Sequence, residues 1–126
     1  MARILIVDDE NEIREMLRQM FEREGFEVVE APDGKEALKV FRQEQTDLVI
    51  TDIIMPEQEG LETIIKLRKE FPEVKIIAMS GGGIIEPEPY LNMAEKVGAL
   101  RTFTKPVNRK ELLEKVREVL KVEGER

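Results

Sequence analysis

Apolar residues fall into short runs of strand length, separated by stretches in which they recur every three or four positions. The runs are Arg3 to Val7, Phe26 to Glu30, Asp47 to Asp52, Val74 to Met79 and Leu100 to Thr104. Between the first two, Ile13, Met16, Leu17, Met20 and Phe21 share one helical face, with Glu12, Arg14, Glu15, Arg18, Glu22 and Arg23 on the others. Gly25 predicts the stop. Asp33-Gly34 opens a second helix with Ala37, Leu38 and Phe41 inward. Gly60 leads into a third carrying Leu61, Ile64 and Ile65, closed by Phe71-Pro72. A shorter helix runs from about Tyr90 to Val97 and ends at Gly98, with Tyr90 expected to be buried. Asn108 caps the last helix with Glu111 three residues on, and Leu112, Leu113, Val116, Val119 and Leu120 form its buried stripe.

Leu48-Val49-Ile50 is apolar without alternation, the pattern of a strand covered on both faces. Strands alternating with helices through short connections imply right-handed crossovers. The predicted fold class is therefore α/β, a doubly wound five-stranded parallel sheet with five helices. One domain over residues 1–122 is expected, with 123–126 as a frayed tail.

The chain has 126 residues, 41% hydrophobic and 37% charged, which fits a globular domain with a heavily charged exterior. Aromatic content of 5% leaves the core to aliphatic side chains and Met. A formal charge of -7 and the lack of a basic cluster argue against nucleic acid as a direct partner. There is no cysteine, so neither disulfides nor thiolate metal sites can form, and a cytoplasmic location is compatible. Met1-Ala2-Arg3 leads into Ile4 to Val7, too short for a signal peptide or membrane span. The absence of histidine excludes a phosphohistidine, a His-based triad and a His-ligated zinc within this chain.

Chemistry collects at the ends of the strands. Asp8 and Asp9 follow the first, Asp52 ends the third, Ser80 follows the fourth and Lys105 the fifth, whereas Glu30-Ala31-Pro32 after the second offers little. In a parallel sheet these positions share the carboxyl edge, where open α/β sheets bind ligands. Taken singly, each has a structural reading: Asp8-Asp9 as a helix cap, Ser80 as a turn residue, Lys105 as a solvated charge. Together they make a pocket of acids that needs compensation, since two carboxylates about 4 Å apart repel by about 4 kcal/mol at an effective dielectric of 20. Lys105 supplies one positive charge, and Mg2+, a hard cation with oxygen ligands, suits the rest.

This order of motifs, Asp-Asp after the first strand, Asp52 with Met55-Pro56 beyond it, Ser80-Gly81 after the fourth and Lys105-Pro106 after the fifth, resembles the response-regulator receiver family over essentially the whole chain. The resemblance implies the flavodoxin-like, CheY-like strand order 2-1-3-4-5. It further implies phosphoryl transfer from the phosphohistidine of a sensor kinase or phosphotransfer protein to Asp52. Asp9, Asp52 and the carbonyl of Ile54 would hold Mg2+, with Asp8 acting through water. Lys105 and the Ser80 hydroxyl would bind phosphoryl oxygens. A downstream protein target or an effector domain would read the signal, with the chain a monomer or a weak phosphorylation-dependent dimer. The outer face of the first helix, Asn11, Arg14, Glu15 and Arg18, would select the kinase.

Two departures stand out. Thr102 occupies the position where the family usually carries an aromatic switch residue, and Phe103, one residue on, points to the opposite face and is expected in the core. The stretch Gly81 to Pro89 is rich in glycine and proline, and it is the expected carrier of the switch instead. Three other readings compete. A flavin or dinucleotide binder needs a phosphate cradle after the first strand, where Asp8-Asp9 would repel it. An aspartate-nucleophile phosphohydrolase normally has a second acid two residues after the nucleophile, where this chain has Ile54. An unphosphorylated interaction module does not need Asp52, Ser80 and Lys105 together. Both a stand-alone receiver and a piece of a longer regulator fit the sequence.

Overall fold

A computed structural model describes residues 2–53, 59–80 and 88–124. The strands are β1 (Arg3–Val7), β2 (Glu27–Ala31), β3 (Leu48–Asp52), β4 (Ile76–Ser80) and β5 (Arg101–Thr104). They alternate with α1 (Asn11–Arg23), α2 (Gly34–Gln43), α3 (Glu59–Glu70), α4 (Glu88–Val97) and α5 (Arg109–Gly124). All strand pairs are parallel, in the order β2-β1-β3-β4-β5.

Strand alternation divides the core in two. Leu5, Val7, Val49, Ile76 and Ala78 point to the side covered by α2, α3 and α4, where Ala37, Phe41, Ile64, Leu67, Leu91 and Ala94 meet them. Ile4, Ile6, Leu48, Ile50, Ile77, Met79 and Phe103 point the other way, against Leu17 and Phe21 of α1 and Leu112, Val116 and Val119 of α5. Phe103 is thus core, as its register predicts. Every residue of β3 and β4 is buried. Because the chain leaves β1 first for β2 on one side and then returns to β3 on the other, right-handed crossovers put the covering helices on opposite faces. The order of strands reverses between β1 and β3, so the crevice of this sheet opens at their carboxyl ends.

Local chemistry sets the boundaries. Asp33 caps α2, its side chain accepting the Glu36 N–H at 2.8 Å, and Asn108 caps α5 through the Glu111 N–H at 3.0 Å. Gly98, at φ +132°, turns the chain out of α4; an added Cβ there would also stand 2.7 Å from the Arg68 side chain. Arg68 in turn donates to the carbonyls of Pro72 and Val74, fastening the α3–β4 turn.

Several expectations are corrected. Tyr90 is 39% exposed, because α4 turns Leu91 and Ala94 to the core instead, and Ile65 on α3 is 46% exposed beside the buried Thr63, Ile64 and Leu67. Leu100 is 45% exposed and precedes β5, and β4 starts at Ile76, after the buried Val74.

Candidate functional site

Register brings the acids together. Val7 pairs with Thr51 across β1 and β3, so Asp8 and Asp52 emerge side by side at the crevice. Asp8 is fully buried and Asp52 is 4% exposed, whereas Asp9 lies at the surface. One carboxylate oxygen from each of Asp8, Asp9 and Asp52 lies within 4.8 Å of the others, a donor set that fits a hard divalent cation. From the far edge, Lys105 reaches back into the crevice. Its Nζ donates to Asp8 Oδ2 at 3.0 Å and to Asp52 Oδ2 at 3.3 Å. The Lys105 backbone is fixed by its own N–H on the Ser80 carbonyl at 2.7 Å, and the bond from Lys105 to Pro106 is cis.

Ser80 ends β4, fully buried, and its hydroxyl has no hydrogen-bond partner among the described residues. A buried hydroxyl left unpaired is costly, so such a group points to a ligand that completes it. Asp8 serves two structures at once. Its Oδ1 accepts the Glu10 N–H at 2.9 Å, shaping the turn into α1, while Oδ2 holds Lys105. Asp8 thus shapes the entry to α1, whose N-cap residue is Glu10, and faces the crevice at the same time.

Burial pushes the Asp8 carboxyl above its ordinary pKa, and the Glu10 N–H and the Lys105 ammonium offset part of that. Burial also opposes the Lys105 charge, but Asp52 and Asp8 outweigh it and hold the ammonium above its ordinary pKa. At its buried end the pocket is thus an ion cluster of Asp8, Asp52 and Lys105, largely shielded from solvent. Lys105 is not a solvated charge, its side chain being 10% exposed.

Of the predicted site residues, Asp8, Asp9, Asp52, Ser80 and Lys105 converge on the one edge. Ile54, Met55-Pro56 and the Gly81-Gly82-Gly83 hinge lie outside the described residues. Sequence reasoning missed three contributors. Gly60 lets α3 start against the end of β3: a Cβ there would stand 2.2 Å from Ile53 Cα and 2.6 Å from the Asp52 carbonyl. Arg14 donates to the Asp8 carbonyl at 2.6 Å and pairs with Glu30 at 3.0 Å. Glu10 lies 3.6 Å from Lys105 Nζ. The sequence marks Gly60 as a helix opener, Arg14 as a helix-face charge and Glu10 as the third acid of the run Asp8-Asp9-Glu10, but none of the three as a neighbour of the site.

A parallel sheet of order 2-1-3-4-5 with carboxylates, an ammonium and a hydroxyl at its carboxyl edge defines the class of CheY-like signalling domains. The model of the response regulator receiver domain matches residues 4–117, and the chain belongs to that family, the receivers of two-component signalling. It is 30% identical to the sporulation initiation phosphotransferase F of Bacillus subtilis (strain 168), covering 94% of this chain and 93% of that protein. It is 33% identical to the transcriptional regulatory protein CpxR of Escherichia coli (strain K12), covering 96% of this chain but 50% of that protein. The solved structure of the response regulator TrrA of Thermotoga maritima, in complex with Mg2+-BeF, superposes with a TM-score of 0.83 at 40% identity, covering 95% of this chain and 100% of that one.

Proposed function

We propose that the chain is a phosphoacceptor that takes a phosphoryl group onto Asp52 from the phosphohistidine of a sensor kinase or phosphotransfer protein. The observation that carries this reading is the Lys105 ammonium bridging buried Asp8 and Asp52 beside the unpaired Ser80 hydroxyl. An Asp52 carboxylate oxygen attacks phosphorus, and the bond from phosphorus to the donor's imidazole nitrogen breaks. That nitrogen keeps the electron pair, and the donor ring, carrying a proton on its other nitrogen, leaves as neutral imidazole. The aspartyl phosphate is later hydrolysed by water. Phosphoryl transfer needs positioning and neutralisation of the phosphoryl oxygens more than proton transfer, and an ammonium with a hydroxyl donor answers that need.

Asp8, Asp9, Asp52 and the Ile54 carbonyl are the residues proposed to hold Mg2+, which when bound supplies further positive charge for the phosphoryl oxygens. The Mg2+-BeF complex of the Thermotoga relative supports a Mg2+ site in a receiver of this kind. The product phosphate offers an acceptor to Ser80 Oγ, which has no hydrogen-bond partner among the described residues, and drawing Ser80 toward it is proposed to shift α4. The exposed apolar side chains of Tyr90 and Met93 on α4 and Leu100 before β5 then form the surface a protein target or an effector domain reads. Incubation with acetyl phosphate and Mg2+ followed by intact mass measurement tests the proposal. One added phosphate in the parent and none in Asp52→Asn is expected, and undiminished labelling of the variant would reject Asp52.

A further inference from the structure

We infer that Glu10 is a charged gate on the phosphoryl pocket, holding Lys105 from the solvent side and disfavouring small anionic phosphodonors. The inference rests on the phosphoacceptor reading of Asp52. Glu10 is the N-cap residue of α1, a position that favours Ser, Thr, Asp or Asn because their short side chains bond the first helical N–H groups. The Glu10 side chain makes no such bond. Its backbone is nonetheless fixed at both ends, the N–H on Asp8 Oδ1 at 2.9 Å and the carbonyl accepting the Arg14 N–H at 3.1 Å. The carboxylate, spared from capping, reaches Lys105 Nζ at 3.6 Å.

Lys105 Nζ thus faces three carboxylates, at 3.0 Å for Asp8, 3.3 Å for Asp52 and 3.6 Å for Glu10. Two are buried; Glu10, with its side chain 61% exposed, stands at the mouth. In transfer from acetyl phosphate, the Asp52 oxygen bonds to phosphorus, the bond from phosphorus to the bridging oxygen breaks, and acetate leaves with the electron pair. The donor is a dianion and must pass Glu10. The phosphoryl oxygens must then win the ammonium that Glu10 shares. Both effects slow the same step, so removing the Glu10 charge speeds it. In water, charges roughly 6 Å apart change such a rate by about threefold per unit of donor charge, hence roughly tenfold for a dianion before salt screening.

The experiment compares parent, Glu10→Gln and, as a control on the exposed first turn of α1, Glu12→Gln. Rates of Asp52 phosphorylation by acetyl phosphate, and by phosphoramidate, whose net charge is lower, are measured at saturating Mg2+ and two ionic strengths. Glu10→Gln should react roughly three- to tenfold faster with acetyl phosphate at low salt, less so at high salt and less so with phosphoramidate, while Glu12→Gln stays within about twofold of the parent. Separately, the NMR resonance of the Lys105 side chain in metal-free protein should move in Glu10→Gln and not in Glu12→Gln. Equal or slower rates in Glu10→Gln with a labelled parent, or an unmoved Lys105 resonance, would overturn the gate alone. A parent that takes no phosphate at Asp52 from either donor would overturn the phosphoacceptor reading and the gate with it.

Discussion

Lys105 is the residue on which the pocket's electrostatics turn. Its ammonium lies between two carboxylates that are almost wholly shielded from water, so the pair interactions are screened far less than at a surface. Lys105→Ala leaves those carboxylates without it and should destabilise the metal-free protein by about 3–5 kcal/mol, measured by urea unfolding, with Mg2+ recovering much of the loss. A variant as stable as the parent in chelator would show that Lys105 is not the cation of the cluster. Asp9 behaves differently, being exposed and outside the Lys105 contacts. Asp9→Asn should change metal-free stability by less than about 0.5 kcal/mol while weakening Mg2+ binding, which calorimetric titration reads. These roles were legible in part. Spacing gave Asp8, Asp9, Asp52, Ser80 and Lys105 as edge residues; that Asp8 is buried and Asp9 is not depends on which way the turn into α1 faces, and no periodicity reports that.

At the scale of elements, two contacts govern how the site is held. The α3 N-terminus approaches the end of β3 so closely that only a residue without Cβ fits at position 60. Gly60→Ala must therefore push α3 or the backbone of Asp52-Ile53 aside, at a cost of about 1–3 kcal/mol or more in thermal or urea unfolding, together with slower labelling of Asp52. The sequence showed Gly60 only as a helix opener; the close approach is a tertiary fact. The second contact joins α1 to β2. Arg14 and Arg18 both pair with Glu30, and Arg14 also holds the Asp8 carbonyl, so these arginines tie the α1 face to β2 and to the turn after β1. Burial pushes the Glu30 carboxyl up, but Arg18 and Arg14 outweigh it and hold the pKa below its ordinary value of 4.5. A depressed carboxyl pKa gives stability that is present above 4.5 and is lost as pH falls through the lower folded value. Urea midpoints measured from pH 5 downward should fall more steeply in the parent than in Glu30→Gln, and parallel curves would contradict the pairing. Long-range ion pairs of this kind leave no periodic signal, whereas the helix faces that pack on the sheet did: Leu17, Phe21, Phe41, Val116 and Val119 are all buried where spacing predicted.

For the molecule as a whole, strand order decides the chemistry. Placing β1 beside β3 sets Asp8 against Asp52, and β4 and β5 beyond them bring Ser80 and Lys105 to the same edge. Alternation of strands and helices predicted the parallel sheet; the order came from resemblance to a family, because local patterns carry no information on which strand neighbours which. The switch belongs to this scale too. Hydrogen exchange with and without beryllofluoride, a phosphoryl mimic, should change protection over residues 80–97 and far less over 26–41, and a change confined to 8–24 would contradict a signal leaving through Ser80 and α4. The most direct test of the central claim is to locate the acyl phosphate itself. Borohydride reduces an aspartyl phosphate to homoserine, and peptide mass analysis after treatment with acetyl phosphate and Mg2+ reads its position. Homoserine is expected at residue 52, whereas homoserine at Asp8 or Asp9, or stable phosphate elsewhere with Asp52 unmodified, would contradict phosphorylation of Asp52.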